Sequence, residues 1–456
     1  MPSSAHSRSS PTRSESTSVS EQRELDRLLA TAQAEGRMPS VSACVFRDGE
    51  IVWERVLGVA DVATSRAATA NDVYRIGSIT KTFTAVLVMQ LVDAGRIELD
   101  APLRTYLPEA PVGPTVRQAL SHLTGLQREP PGEIWESMQP PSREELIAGL
   151  ENAELVLQPA EQWHYSNLVF ALLGEIVMRT GALPYEELLQ QRILDPLGLA
   201  RTSLRPDEPK ASPYYVDPYT DAARDEPDPE VTDTTAAAGW LWSTAGDLAR
   251  WGTFLADGDD AVLPKATIDL MSRVRTMADE RNWTVGWGLG LELFRRGDRV
   301  FVGHGGAMPG FLAGLVVDRG ERTGAAVLMN TGANADPIAL SLDLLVATLE
   351  GQPRPLTLWA PAGEASSELD GILGSWWTEG EEMTLSLRGG RFQAELRDAP
   401  SGRTVSIFEP DGVDRWRVAE GRERGELLRA VRDEDGTVTK LYFATYPLTR
   451  TPSTFG

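Results

Sequence analysis

Apolar residues recur at helical spacing over residues 21–36, where Leu25, Leu28, Leu29 and Ala32 share one face and Gly36 ends the run. The period then shortens. Residues 41–46 and 51–59 read as strands joined at Asp48-Gly49, a dipeptide that favours a tight hairpin. Residues 83–94 are almost continuously apolar and stop at Gly95, which predicts a buried helix. Much of 115–200 keeps helical spacing, interrupted by a proline-rich stretch over 129–141, and 171–179 is a second apolar helix. Residues 205–234 are rich in Pro, Asp and Tyr, have no period, and read as a long surface loop. Thr244-Ala245-Gly246-Asp247 supplies a hydroxyl cap for a helix over 248–255. Strands are predicted at 300–302, 312–317 and 324–329, and a closing helix at 338–349. The first domain is therefore α/β, an antiparallel sheet between flanking helices.

The pattern changes again near the end. Residues 353–368 shift to Pro, Ala, Gly and Ser, the composition of a linker. Short alternating runs at 383–387, 392–396, 416–418, 427–431 and 438–444 are separated by Gly389-Gly390 and Asp435-Gly436. Such even spacing predicts a small antiparallel β-barrel domain. Residues 1–20, rich in Ser, Thr, Pro and Arg with no apolar core, read as a disordered tail rather than a secretory signal. The division expected is a tail at 1–20, a catalytic domain at 21–352, a linker at 353–368 and a barrel at 369–456.

Composition narrows the function classes. With 456 residues, 41% hydrophobic and 24% charged, the chain is expected to be globular and to exceed one ordinary core. A net charge of -22 argues against nucleic acid and anionic membranes as partners. No run approaches the ~20 apolar residues of a membrane span, and a cytoplasmic location is expected. The single cysteine, Cys44, permits no internal disulfide and sits in an apolar run as a small core filler. The four histidines, His6, His122, His164 and His304, lack zinc spacing, and no phosphate or dinucleotide fingerprint is present. No metal or cofactor is expected, and no Gly-x-Ser-x-Gly elbow occurs.

Three segments carry candidate chemistry. Ser78 and Lys81 stand three residues apart at the start of the apolar helix, where i and i+3 side chains can touch. The chain has only four lysines, Lys81, Lys210, Lys265 and Lys440, among 44 basic residues. Lysine, unlike arginine, can lose its proton when desolvated, so one kept beside a serine suits an activated nucleophile. Tyr165-Ser166-Asn167 precedes the second apolar helix; a phenol can exchange a proton with a nucleophile or leaving group, and an amide can hold a lysine or a substrate carbonyl. His304-Gly305-Gly306-Ala307 follows the strand at 300–302, where glycines admit a substrate backbone and a histidine adds a titratable group.

In this order the three motifs resemble those of the serine penicillin-recognising enzymes: β-lactamases, DD-peptidases and related esterases and acyltransferases. Tyr-x-Asn, the stretch Tyr74 to Ala85 around Ser78, and Ser121-His122-Leu123-Thr124-Gly125-Leu126 look like the class C β-lactamase and DD-peptidase branch. The resemblance covers roughly residues 21 to 350. It implies a β-lactamase/transpeptidase-like fold with a helical subdomain, and a C-terminal domain resembling the lipocalin-like barrel that many members append.

Carried over by position, the resemblance implies Ser78 as acyl-accepting nucleophile, with Lys81 and Tyr165 sharing acid/base work. Asn167 would orient substrate and lysine, and the N–H groups of Ser78 and Ala307 would form an oxyanion hole. His304 stands where the family carries a fixed lysine cation, which disfavours a dedicated β-lactamase and resembles some DD-peptidases, D-aminopeptidases and peptide-cyclising thioesterases. Gly239 and Trp240 are expected at the pocket, Tyr214, Tyr215 and Trp135 in a lid, and Arg450 as a carboxylate clamp.

The expected function is a serine hydrolase or acyl-transferase acting on a small ester, amide or D-residue-containing peptide. One alternative is a thioesterase that cyclises a peptide delivered by a peptidyl carrier protein. The other is a catalytically silent protein whose barrel holds a ligand. The sequence sets no oligomeric state.

Overall fold

Asp48 and Gly49 both take positive φ, 51° and 87°, and turn strand β1 (Ser40–Arg47) into β2 (Glu50–Asp61). This hairpin is the left half of the central sheet in a computed structural model that describes residues 13–229, 233–354, 367–399 and 405–452. The chain divides after Arg354 into two compact units. Most of the segment expected as a linker lies outside the described residues.

In the first unit, nine strands among the described residues form one antiparallel sheet. To β1 and β2 are added β3 (Arg66–Ala67), β4 (Thr276–Met277), β5 (Val285–Trp287), β6 (Glu292–Arg296), β7 (Arg299–Met308), β8 (Phe311–Asp318) and β9 (Thr323–Met329). Their order is β3-β2-β1-β9-β8-β7-β6-β5-β4. The first long strand therefore pairs with the last, Val41 opposite Met329, and joins the two ends of the unit in mid-sheet.

Alternation along β1 decides what covers each face. Val41, Ala43 and Val45 pack with Leu25 and Leu29 of helix α1 (Arg13–Glu35) and Leu344 and Leu345 of α6 (Pro337–Gly351). Cys44 and Phe46 point the other way, into the core shared with α2 (Thr80–Asp93), α3 (Asn167–Gly181) and α5 (Ala245–Asp257). Cys44 is fully buried, and desolvation pushes its thiol pKa up, so it packs as an inert apolar group.

Three expectations need correction. Helix α1 starts at Arg13, so 13–20 are helical and only 1–12 of the expected tail lie outside the described residues. Apolar periodicity reports burial; with no Pro or Gly between Arg13 and Glu35, nothing stops the helix from running beyond its buried face. The stretch 205–234 is not all loop. Tyr214–Val216 pairs with Ala223–Asp225, and α4 (Asp233–Gly239) begins before its end. Strand β7 continues through His304-Gly305-Gly306-Ala307, which were expected to follow it, because pairing to β8 (Gly305 with Gly314, Ala307 with Leu312) overrides glycine's low strand preference.

No single described helix is long and apolar enough to cross a membrane; α3 passes that test only together with the next helix, at a 78° bend, and α3 is mostly buried.

The second unit is an eight-stranded antiparallel meander, with strands β10 (Gly374–Thr378), β11 (Glu381–Arg388), β12 (Arg391–Leu396), β13 (Ser406–Pro410), β14 (Arg415–Glu420), β15 (Leu427–Arg432), β16 (Val438–Phe443) and β17 (Tyr446–Leu448). Trp377 and Thr449 exchange two backbone hydrogen bonds, 2.8 and 3.0 Å, and bring its two edges together into a nearly closed barrel. Trp376, Phe392, Phe408, Trp416 and Leu441 fill the interior.

Arg450 is corrected here as well: it clamps the barrel end and is not a substrate clamp. Its guanidinium lies 3.8 Å over the Trp376 ring and donates to the carbonyls of Gly371, Leu373 and Ser375. Those contacts occupy the planar donor fork that a carboxylate would need. Arg450→Ala is expected to cost about 1 kcal/mol and to speed amide hydrogen exchange across Gly374–Thr378, measured by mass spectrometry on the full chain.

Candidate active site

Two backbones in direct contact set the position of Ser78. Gly77 lies at φ 49°, and a Cβ there would fall 2.4 Å from the Ala307 nitrogen. A Cβ at Gly306 would fall 2.0 Å from the Ile76 carbonyl oxygen. Glycine at both positions lets the tight turn Gly77–Ile79 lie against strand β7, so Ser78 and Ala307 line one recess. The turn runs straight into α2, with Thr80 N–H donating to the Gly77 carbonyl, and the N-terminal end of the helix adds a partial positive charge beside Ser78.

Lys81, one turn later, is fully buried. Its Nζ donates to Ser78 Oγ at 3.1 Å, to Asn167 Oδ1 at 2.7 Å and to the Ala238 carbonyl. Desolvation brings its pKa from 10.5 to about 7, with Glu129 opposing the shift and Arg128 assisting it. Tyr165 donates its phenol proton to the same Ser78 Oγ at 2.7 Å. Burial raises the phenol above its ordinary pKa, so it keeps its proton. The two neighbours of the serine therefore differ in protonation at neutral pH: an amine able to accept a proton and a phenol able to give one.

Asn167 begins α3, with Ser166 rather than Asn167 as the N-cap; the Ser166 hydroxyl accepts from Val169 N at 3.2 Å. Asn167 Nδ2 donates to Glu129 Oε1 at 2.7 Å, which leaves one N–H of the amide for a substrate. Arg128, 3.5 Å from Glu129, lies 4.9 Å over the Tyr165 ring. On another side His122, at φ 54°, stacks on Tyr165 with centroids 4.4 Å apart and accepts from Ser166 N at 3.1 Å. Desolvation, followed by the positive charge of Lys81, lowers the pKa of His122 and keeps it neutral.

His304 departs from expectation. It lines the same cleft as Ser78 and Tyr165, but its Nδ1 meets the Gly305 carbonyl at 2.5 Å and its Nε2 has no hydrogen-bond partner. Neither nitrogen bonds Ser78, Lys81 or Tyr165. It is also no switchable cation: desolvation first, then the charge of Lys81, lowers its pKa to about 3, so the ring is neutral at physiological pH. Beside it Glu292, on β6, accepts from Gly305 N at 3.1 Å, and desolvation raises its pKa to about 7.

The space around Ser78 has two parts. A recess of about 50 Å³ is lined by Ile134, Ala171, Ala238, Gly239, Trp240 and Met308 together with Glu129, Asn167 and Thr235, and Ser78 and Ala307 are at its mouth. A cleft of about 1060 Å³ continues past Tyr165 to Trp163, Trp287, Glu292 and His304, with Gly305 and Gly306 along its wall. Gly239 and Trp240 thus line the same recess as Ser78. Trp135 and Tyr215 line the cleft and are exposed, whereas Tyr214 is a buried anchor whose hydroxyl accepts from Val62 N at 2.7 Å. Among the described residues no group of three or more His, Cys, Asp or Glu is arranged to hold a metal ion.

The arrangement of a serine, a buried lysine and a tyrosine agrees with the comparison to known proteins. The Beta-lactamase family model matches residues 25–348, most of the chain. The chain belongs to the Beta-lactamase family. As a member of the serine β-lactamase/DD-peptidase-like superfamily it is a serine hydrolase. Residues 365–450 match a domain of unknown function, DUF7586.

Penicillin-binding protein 4 of Amycolatopsis lactamdurans is 27% identical over 372 residues, 76% of this chain and 95% of that protein. Beta-lactamase-like protein 2 of Dictyostelium discoideum is 29% identical over 286 residues, 56% of this chain, and only 50% of that protein's length is spanned. A D-stereospecific amidohydrolase from Streptomyces sp. superposes with a TM-score of 0.61 at 27% identity, covering 72% of this chain and 98% of that one. The fold of the octameric penicillin-binding protein homologue from Pyrococcus abyssi covers 94% of this chain and 99% of that one, with a TM-score of 0.65 at 23% identity.

Proposed function

We propose that this Beta-lactamase-family protein cleaves small amides, esters or D-residue-containing peptides through an acyl-enzyme on Ser78. The observation that carries the reading is Lys81: a fully buried amine whose pKa is brought down to about 7, hydrogen-bonded to a serine that also meets a protonated phenol. In the reaction, Lys81 Nζ takes the Ser78 Oγ proton as Oγ bonds to the substrate carbonyl carbon. The carbonyl oxygen becomes an oxyanion and accepts from the N–H groups of Ser78 and Ala307. Tyr165 gives its proton to the leaving nitrogen or oxygen as the carbon–heteroatom bond breaks, and regains it from the Lys81 ammonium by way of the vacated site. Water then enters on the Tyr165 side and passes a proton through the Tyr165 hydroxyl to the Lys81 amine as its oxygen bonds to the acyl carbon; the Lys81 ammonium returns a proton to Ser78 Oγ as the ester bond breaks and the acid leaves. An amine in place of water would transfer the acyl group, and an internal amine would cyclise it.

The Streptomyces amidohydrolase, named as D-stereospecific, favours amides of D-residues as the substrate class. The charge around the cleft supports an amide or ester over a free carboxylate. Glu129, Glu226 and Glu292 line it, and Arg128, among the described residues the one basic side chain lining it whose charge is fixed, is paired to Glu129. A panel of D- and L-amino-acid amides, p-nitrophenyl esters, nitrocefin and peptidyl thioesters tests the reading. The expected result is turnover of amides or esters with D over L preference, negligible nitrocefin hydrolysis, and a mass adduct on the Ser78 peptide after a rapid quench. No turnover of any member and no adduct would exclude it.

A further inference from the structure

The wall of the cleft beyond Tyr165 carries groups that the acyl-transfer steps do not use. Tyr165, which protonates the leaving group, lines the wide cleft and not the small recess. The recess is thus the acyl side and the wide cleft the leaving-group side. This assignment rests on the acyl-enzyme reading above.

On the leaving-group side, Glu292 is a largely buried carboxylate without a counter-ion. One oxygen accepts from Gly305 N at 3.1 Å, and the nearest basic atom, His304 Nδ1, is 3.9 Å away in a neutral ring. Nearby Asp336 adds a further negative field. Around it the wall is aromatic: Trp287 lies edge-on to His304 with centroids 5.3 Å apart, 5.3 Å from Trp163 and 5.9 Å from Tyr165. Trp287 and His304 are nine-tenths buried or more, and Trp287 Nε1 and His304 Nε2 have no hydrogen-bond partner. A desolvated carboxylate beside aromatic faces is a poor place for an anion and a favourable one for an ammonium group.

Position fixes the reach. Gly305, which Glu292 holds, lies two residues along β7 from Ala307, about 7 Å at strand spacing. An ammonium three or four bonds beyond the scissile oxygen or nitrogen would meet Glu292 while the carbonyl oxygen sits at Ala307. The geometry points to a leaving-group subsite for a cation, with Glu292 as its anionic residue and Trp287 and Trp163 as its apolar wall. Substrates of this class are amides or esters whose departing half is an amino alcohol, a diamine or a basic residue. A departing half that ends in a carboxylate is repelled by the same group.

Three butanoyl esters with the same three-carbon spacer test this at pH 8: those of 3-(trimethylammonio)propanol, 4,4-dimethylpentanol and 4-hydroxybutanoate. The first two have the same shape and differ only in charge. The cationic ester is expected to exceed the neutral one in kcat/KM by about 10-fold or more, and the anionic ester to fall below both. Glu292→Gln keeps an oxygen to accept from Gly305 and removes only the charge. The cationic-to-neutral ratio, which cancels any general loss of activity, is expected to fall to near one. Equal rates for the two isosteric esters in the unaltered protein, or a ratio unchanged in Glu292→Gln, overturn the inference alone. If none of the esters is turned over and Ser78 takes no adduct, the acyl-enzyme reading fails, and this inference with it.

Discussion

Ser78→Ala is expected to reduce kcat by about 10⁴–10⁶-fold, the range seen when a covalent nucleophile is removed, and to abolish labelling by a fluorophosphonate. No neighbouring group can take over. Lys81 and Tyr165 both point at the Ser78 oxygen, and Thr80, the next hydroxyl, already donates to the Gly77 carbonyl at 2.7 Å from a fully buried position. Ser78 itself is half-buried at the mouth of the recess, so the substitution removes an oxygen and leaves no core cavity. The melting temperature is expected to stay close to that of the unaltered protein. A loss of activity with a preserved melt assigns the effect to chemistry. Labelling that survives in Ser78→Ala would place the nucleophile elsewhere.

The parts of the site that could be read from the chain are those whose chemistry fixes a spacing. Ser78 and Lys81 must share a helix face, so they stand three positions apart, and the helix they start is buried enough to leave a nearly unbroken apolar run. Tyr165 and Asn167 mark a second helix entry. What escaped the sequence has no such constraint. Glu129 and Arg128 come from a proline-rich loop with no period, and they reach Asn167 and Tyr165 only through the tertiary fold. Glu292 and Trp287 lie on strands β6 and β5, where Gly286, Gly288 and Gly290 blur the alternation that would reveal a strand. One signal was present but not used: Trp163 adjoins His164-Tyr165 directly.

Charge state was less legible than position. The residue type at His304 says that it can titrate, but burial against Trp287 and the field of Lys81 decide that it does not near neutral pH. Arg450 shows the same limit in the barrel. Its donor fork fits a carboxylate or three backbone carbonyls, and only the fold reveals which it meets. Five of the eight barrel strands showed as alternating runs. Strands β10, β13 and β17 were missed because each has at most five residues, too few for a period to register.

Lys81→Met is expected to lower kcat/KM about 10³–10⁴-fold, the upper part of the range for a general base, and to erase the acid limb of the pH profile. The competent form is the free amine. In the unaltered protein, log kcat/KM should therefore rise with unit slope as pH increases and level off above about 7, where burial has brought the Lys81 pKa. Methionine fills the same buried channel without charge, leaving Asn167 Oδ1 and the Ala238 carbonyl without their donor. That loss costs about 1–3 kcal/mol. It is offset increasingly as pH falls from 10.5 to about 7, because the unfolded lysine holds a proton that the buried amine gives up, and the offset is full below about 7. A thermal melt at pH 6 and pH 9 follows both effects. Glu292 titrates in the same range, because desolvation raises its carboxyl pKa to about 7, so the limb alone does not name its source. The variants separate the two: a limb owned by Lys81 survives in Glu292→Gln and disappears in Lys81→Met. His304, neutral down to about pH 3, cannot supply it. If the limb persists in Lys81→Met and disappears in Glu292→Gln, it belongs to Glu292; if it persists in both variants, the proton acceptor is the phenol. Tyr165 would then have to ionise against the burial that holds its proton on, at a cost that the remaining neighbours, Arg128 and the α2 N-terminus, would have to offset.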